Sequence, residues 1–428
     1  MYQTSGAVTL SKVSAEHFEK IVASMEKLVR LRQHYEERAW IQKSQALGEE
    51  KLLELTLLAL QDQFVSQNFT FDDIWLFLAG FLTVGSAAAF KQMTRKRIRK
   101  FLEDFFLSQS RARQFFFPAN LSGFPEGFKI GLCEVRSFFD LPYVVKNSIQ
   151  SEEEQRLASK LDVHEKYLAT QVSVIGEEKA IDEATARANQ TFNILQCFFR
   201  NRRSAPDLPP ERHGYWTASR SNEIGEIGIS YGTRHADLYE YRYSAAMNRY
   251  IRILNSLVRA SGRDEIAKRC LAAIDIYGMA NSSSQIELKF LLSVIAIESL
   301  IVDTEPITSK LRERTTFLLG DSPVWMREFL HKERVRLADR KRNRIEARIA
   351  LDRLMKEIYS KRSAFAHAGI KDQITVSDLI SVSQILEQLL KVILNLYDRH
   401  RVTSLAGSGN SLDSLITRQK YSTATTWT

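Results

Sequence analysis

The sequence predicts a mainly α protein: a mostly α N-terminal region containing a small α+β module, followed by an antiparallel helical bundle. Three observations lead there. Glycine (18) and proline (8) are scarce among the 428 residues, too few for the many tight turns of an all-β chain. Apolar residues recur at helical spacing through nearly all of 236–399, the pattern of amphipathic helices. One stretch, Tyr167–Ile175, alternates with period two instead, as a half-buried strand does.

The elements follow in order. Glu16–Gln63 reads as helix, with FEKIVASMEKLVRL and KLLELTLLALQDQF as its amphipathic parts. Asn68–Asp73 is a turn whose aspartates suit a helix N-terminus. Ile74–Phe90 then runs 17 residues without a charge, followed by the basic run Lys91–Lys100. As a helix it would span about 26 Å, short of a bilayer core of about 30 Å. It is a marginal transmembrane candidate, and the expectation is a buried helix. Arg95–Ser108 is a basic amphipathic helix, and Gln109–Phe128 reads as irregular.

Strands are expected at Phe128–Val135, Tyr167–Ile175 and Glu226–Tyr231, with a helix over Gly176–Phe199 between them. Arg200–Trp216 holds three prolines and reads as a loop at a domain boundary. From Ala236 to Arg399 helical segments are separated by short breaks, as in a bundle. Val402–Thr428 is rich in Ser, Thr and Gly and is expected to be disordered. The expected organisation is therefore a helical region over 1–127, an α+β module over 128–235, a bundle over 236–401 and a tail over 402–428.

Composition narrows the function classes. The net charge is +9, and the excess is carried by arginine, 37 against 23 lysines. Guanidinium groups suit phosphate contacts, so RNA is a permitted partner. The three cysteines are far apart, with no C-x-x-C pair. That points to a reducing compartment. The polar N-terminus shows no signal-peptide pattern, and a soluble cytoplasmic protein is the expectation. There is no phosphate-loop motif, no G-x-G-x-x-G, no H-E-x-x-H and no G-x-S-x-G. No cofactor and no metal site is expected.

One segment carries chemistry: Ile358–Gly369, IYSKRSAFAHAG, with Tyr359, Arg362, Ser363, His367 and Gly369. Upstream, the apolar helix Ile286–Val302 holds Glu298 on a face that should be buried. A lone buried carboxylate needs a cation, and Arg362 or Arg314 can supply it. This ensemble resembles the HEPN superfamily, and within it the Apea-like HEPN domains, over about Ala236–Arg399. The carrying features are Y-x-x-R-S-x-x-x-H-x-G at Tyr359–Gly369, the helix Ala296-Ile297-Glu298-Ser299-Leu300, and the L-x-x-R of Leu311–Arg314. Glu183–Phe199 is similar to a helix that often precedes Apea-like domains. Many members have His and Gly adjacent, whereas here Ala368 stands between them.

The resemblance implies a metal-independent endoribonuclease working as a homodimer, in phage defence or toxin-like growth arrest. Arg362, Ser363 and His367 would then be the catalytic group, with Glu298, Tyr359 and Arg314 supporting it. Residues 1–235 would sense a trigger or restrain the nuclease. Arg362 and His367 are five apart, about 140° around an ideal helix. A composite dimer site, a helix distortion or side-chain reach must bring them together. His331–Arg362 adds a basic surface of 12 Lys and Arg against 5 Asp and Glu. Two other readings stand beside this one: an inactive HEPN scaffold for dimerisation or RNA binding, and a membrane-attached regulatory protein using 74–90.

Overall fold

Apolar side chains sort into two clusters, and these divide the molecule more cleanly than its secondary structure does. The computed structural model describes residues 13–33, 49–84, 90–106, 111–137, 166–200, 211–220, 227–237, 240–260, 262–320, 340–370, 373–407 and 409–420. As expected, it is mainly helical with one small antiparallel sheet.

The first cluster belongs to α1 (Ala15–Gln33), α2 (Glu49–Leu60), α3 (Gln63–Asn68), α4 (Phe71–Val84) and α5 (Arg95–Phe106). Val22, Met25, Leu55, Val65, Leu78 and Leu102 are among its buried residues. Phe77 stacks on Phe101 and Phe105 across α4 and α5. The apolar stretch of the membrane candidate thus meets protein: Ile74, Leu78, Leu82 and Phe90 are buried, and α4 stops at Val84. Residues 85–89 of that stretch lie outside the described residues. Among the described residues one helix, Val376–His400, is long and apolar enough to cross a membrane, and half of its apolar window is buried in the protein.

The second cluster joins the sheet to all the later helices. Strands β1 (Arg111–Pro118), β3 (Lys129–Ile130), β4 (Cys133–Ser137), β5 (Lys166–Val174), β6 (Glu211–Arg220) and β7 (Ile227–Asp237) order as β3-β4-β5-β1-β6-β7. Neighbours are antiparallel, with Phe115 opposite Thr170 and Phe117 opposite Leu168. A separate short pair links β2 (Leu121–Ser122) and β8 (Tyr241–Arg242). Phe115, Phe117, Leu168 and Val172 share a buried core with α6 (Glu177–Phe198). The same core continues through α7 (Asn248–Arg259), α8 (Glu265–Ser282), α9 (Ile286–Ile301), α10 (Ile307–Leu319), α11 (Arg340–Ala368) and α12 (Val376–His400). It closes on α13 (Leu412–Lys420), where Leu412 and Ile416 are buried.

Four expectations need correction. Arg111–Pro118, read as irregular, is an inner strand of the sheet; its Phe115–Phe116–Phe117 run hides strand alternation because all three are buried. Glu211–Trp216, read as loop, belongs to β6. The boundaries at 127/128 and 235/236 fall inside one unit: β1 and β2 precede the first, β7 runs across the second, and the core is continuous. The tail is ordered over 402–407 and 409–420, where Val402, Leu405, Leu412 and Ile416 reach the core. Its few apolar residues are spaced too irregularly to show as a helical face. Residues 421–428 lie outside the described residues.

The two clusters meet at the start of α6. Gly176 is its N-cap and has no side chain to cap with. Asp73 of α4 supplies the cap instead, accepting from the backbone N–H of Glu178 (3.0 Å) and Lys179 (3.1 Å). The backbone N–H of Gly176 also donates to the Asn68 carbonyl at 2.9 Å. A Cβ at Gly176 would collide with the Asp73 carboxylate.

Candidate active site

Helix α11 carries the motif, and its end is set by glycine. Gly369 has φ +66° and its N–H donates to the Phe365 carbonyl at 3.0 Å. Only glycine enters that left-handed region without strain. The helix is continuous from Arg340 to Ala368, so it passes unbroken through both Arg362 and His367. No local distortion brings the two together. They stay about 140° apart in azimuth and about 7.5 Å apart along the axis.

Arg362 is turned toward α9. Its Nη2 donates to Glu298 Oε2 at 3.1 Å, with the two side chains 20% and 14% exposed. The pair joins α11 to the one carboxylate that the sequence placed on a buried face of α9. The guanidinium carbon also lies 5.7 Å from the Tyr359 ring centroid, within cation–π range. Burial pushes the Glu298 carboxyl above its ordinary range, and Arg362 pulls it back only in part. Glu298 Oε1 and Arg362 Nε are buried and have no hydrogen-bond partner among the described residues. The contact is thus a single bond rather than a bidentate fork, and donors of the guanidinium remain uncommitted to Glu298.

Ser363 is half-buried and His367 is exposed. They are four residues apart and share one helical face. His367 lies in the last turn of α11. Arg314 does something else. It is 2% exposed and grips Asp413 through Nε (2.8 Å) and Nη2 (2.7 Å). Its Nη1 donates to Asp303 Oδ1 (3.0 Å) and the Ile301 carbonyl (2.6 Å). Arg314 therefore anchors α13 and the end of α9, while Arg362 is the cation that meets Glu298.

Sequence reasoning missed the group beside the motif. Lys361 Nζ donates to both oxygens of Asp378, at 2.8 and 3.0 Å. Asp378 also closes a capping box with Thr375 at the start of α12. Burial pushes the Asp378 carboxyl up, but Lys361 and Thr375 outweigh it and hold it below the ordinary range. The signal was present as T-x-x-D ahead of an apolar run, a capping-box signature. The cysteines are structural: burial pushes Cys133 up to about 11 and Cys270 up to about 12. Among the described residues no His, Cys, Asp and Glu cluster is placed to hold a metal ion.

Basic side chains extend along α11. Arg353 and Lys356 are exposed, whereas Arg312 of α10 is paired with Asp352 through two bonds of 2.9 and 2.5 Å. Residues 331–339 of the expected basic surface lie outside the described residues. No protein-family model, no curated protein and no solved structure matches this chain.

Proposed function

We propose that this protein is a metal-independent endoribonuclease of the HEPN type. Two copies of the chain would bring two Arg362–His367 motifs to one RNA strand. The observation that carries the reading is the asymmetry of the motif. Arg362 is held from below by Glu298 through one nitrogen, while His367 stands exposed at the helix end. A charge held in place with donors to spare suits a phosphate in flight. An exposed imidazole suits proton transfer.

The chemistry balances without a cofactor. The ribose 2′-hydroxyl gives up its proton and its oxygen attacks the neighbouring phosphorus. The bond to the 5′-oxygen breaks, that oxygen takes a proton, and a 2′,3′-cyclic phosphate remains. His367 of one copy moves one of these protons. Arg362 steadies the charge that develops on the phosphoryl oxygens, and Ser363 orients the imidazole or the phosphate. The separation of Arg362 and His367 around an unbroken helix favours a site composed from two copies. The N-terminal helices and the sheet would sense the trigger or restrain the nuclease, in a defence or growth-arrest setting.

The test is cleavage of a labelled single-stranded RNA by the full chain, with and without chelator. His367→Ala should abolish cleavage with little loss of stability, because an exposed side chain is not part of the core. Arg362→Lys should also fail, since an ammonium cannot reproduce the guanidinium fork. Products should end in a cyclic phosphate. Full cleavage by His367→Ala overturns the reading, and RNA binding by wild type without cleavage points to a non-catalytic scaffold.

A further inference from the structure

A second site lies between α8 and α12. The cavity there measures about 300 Å³, at the lower end of small-molecule sites. Its character changes with depth. At the mouth Val376 and Ile380 are 55% and 52% exposed, with Leu379 beside them. On the same wall Leu379, Ser383 and Glu387 succeed one another at four-residue spacing, one face of α12. Apolar side chain thus gives way to hydroxyl and then to carboxylate.

The opposite wall holds two buried donors. Tyr277 and Asn281 are four apart on α8, 1% and 7% exposed. Asn281 Nδ2 has no hydrogen-bond partner among the described residues, and Tyr277 Oη makes no hydrogen bond of good geometry there, although the Ser383 hydroxyl lies beside it. The Asn281 amide is oriented, because Arg200 Nη1 donates to its Oδ1 at 3.1 Å. That leaves Nδ2 as the end that lacks a partner. Burial, with the Glu387 charge adding to it, pushes the Tyr277 hydroxyl above its ordinary value, and the nearby Ser383 offsets this only in part. The hydroxyl therefore stays protonated and donates. Buried donors without good hydrogen bonds are costly to a fold, and two of them lining one cavity mark a place for an acceptor.

The geometry points to a binding site for a small planar lactam. Its carbonyl oxygen accepts from Tyr277 and Asn281, and its N–H is presented to Glu387. Its apolar rim lies against Leu379, Val376 and Ile380. A carboxylate accepts several hydrogen bonds, so Glu387 can take this one beside those it already makes. Water satisfies two donors equally well but has no use for the apolar mouth, and this difference is what the experiment reads.

Calorimetry on the full chain would compare carbostyril, a bicyclic lactam, with quinoline, the same ring system without the carbonyl. Carbostyril should bind saturably and quinoline at least tenfold more weakly. Tyr277→Phe should weaken carbostyril about tenfold, the loss of one hydrogen bond. The same variant should unfold at nearly the same temperature or higher, since it deletes a buried hydroxyl that makes no hydrogen bond of good geometry among the described residues. Ile380→Trp, at an exposed position, should close the mouth and abolish binding without lowering the unfolding temperature. Equal binding of the two probes overturns the proposal. So does undiminished carbostyril binding by Tyr277→Phe, or the absence of saturable binding to wild type.

Discussion

Arg362 gives one terminal nitrogen to Glu298, and that single bond has consequences for substitutions at either end. The pair is partly shielded, 20% and 14% exposed, so its loss costs less than that of a fully buried pair. Glu298→Gln keeps an acceptor for Arg362 and removes the charge. Because the fold favours the uncharged carboxyl, it should hold or slightly raise stability at neutral pH, as read by urea unfolding. The pH dependence has a definite sign. Burial raises the folded-state Glu298 pKa above its unfolded value despite Arg362. The folded protein therefore binds more protons between the two values, and stability from this group is full below the unfolded pKa and lost as pH rises through the folded one. Wild type should lose this increment on going upward through the window that begins near pH 4.3, and the glutamine variant should lack it. A variant that tracks the wild-type pH profile would show that Glu298 does not titrate differently in the fold.

At the scale of elements, the arginine staple at Arg314 joins three segments that lie far apart in the chain. It ties α10 to the end of α9 through Asp303 and Ile301, and to α13 through Asp413. Asp413→Ala should leave a buried guanidinium short of its partner. Asp413 is 43% exposed and Arg314 keeps Asp303, so the expected cost is about 1–3 kcal/mol, and the segment after Arg401 should become sensitive to protease. Acid should act through the same staple. Burial pushes Asp303 up, but Lys310 and Arg314 outweigh it and hold it well below the ordinary aspartate range. Its stabilisation is present above the unfolded pKa of about 3.9 and lost as pH falls through the folded value; Asp303→Asn should blunt that acid loss. Elements of this kind divide what could be read in advance from what could not. The α9 and α12 helices and the need of Glu298 for a cation were legible, because apolar periodicity isolates a carboxylate on a buried face; the choice of Arg362 over Arg314 was not. Strand β1 was not legible, because Phe115, Phe116 and Phe117 are all apolar and conceal period two. The α13 staple was not either: Asp413 meets Arg314 across 99 residues of sequence, and no local pattern announces such a contact.

For the whole molecule, the question is where the chain can be cut and still fold. Sequence alone places the boundary at 235/236, whereas the core runs without a break from Phe115 to Ile416. Helix α6 decides the matter. Ile181, Phe192, Ile194, Leu195 and Phe198 are buried in the shared core, and Asn193 donates to Asp275 of α8 at 3.2 Å. The two helices approach closely at Gly278 of α8, where a Cβ has no room because the Asn193 side chain fills the space. Burying a large apolar side chain contributes about 1.5–3 kcal/mol. Five of them together are comparable to the about 5–15 kcal/mol that holds a typical domain folded. A chain of residues 236–399 lacks α6, the sheet and α13, and should be expanded and prone to aggregate. A chain of residues 107–428 keeps the whole second cluster and loses only the helices of the first, which meet it mainly through Asp73, Asn68 and Gly176. It should unfold in one cooperative transition by circular dichroism and calorimetry. The two truncations give opposite expectations, so a stable, cooperatively folding 236–399 fragment would place the boundary back where the sequence put it and remove α6 from the core that supports Arg362.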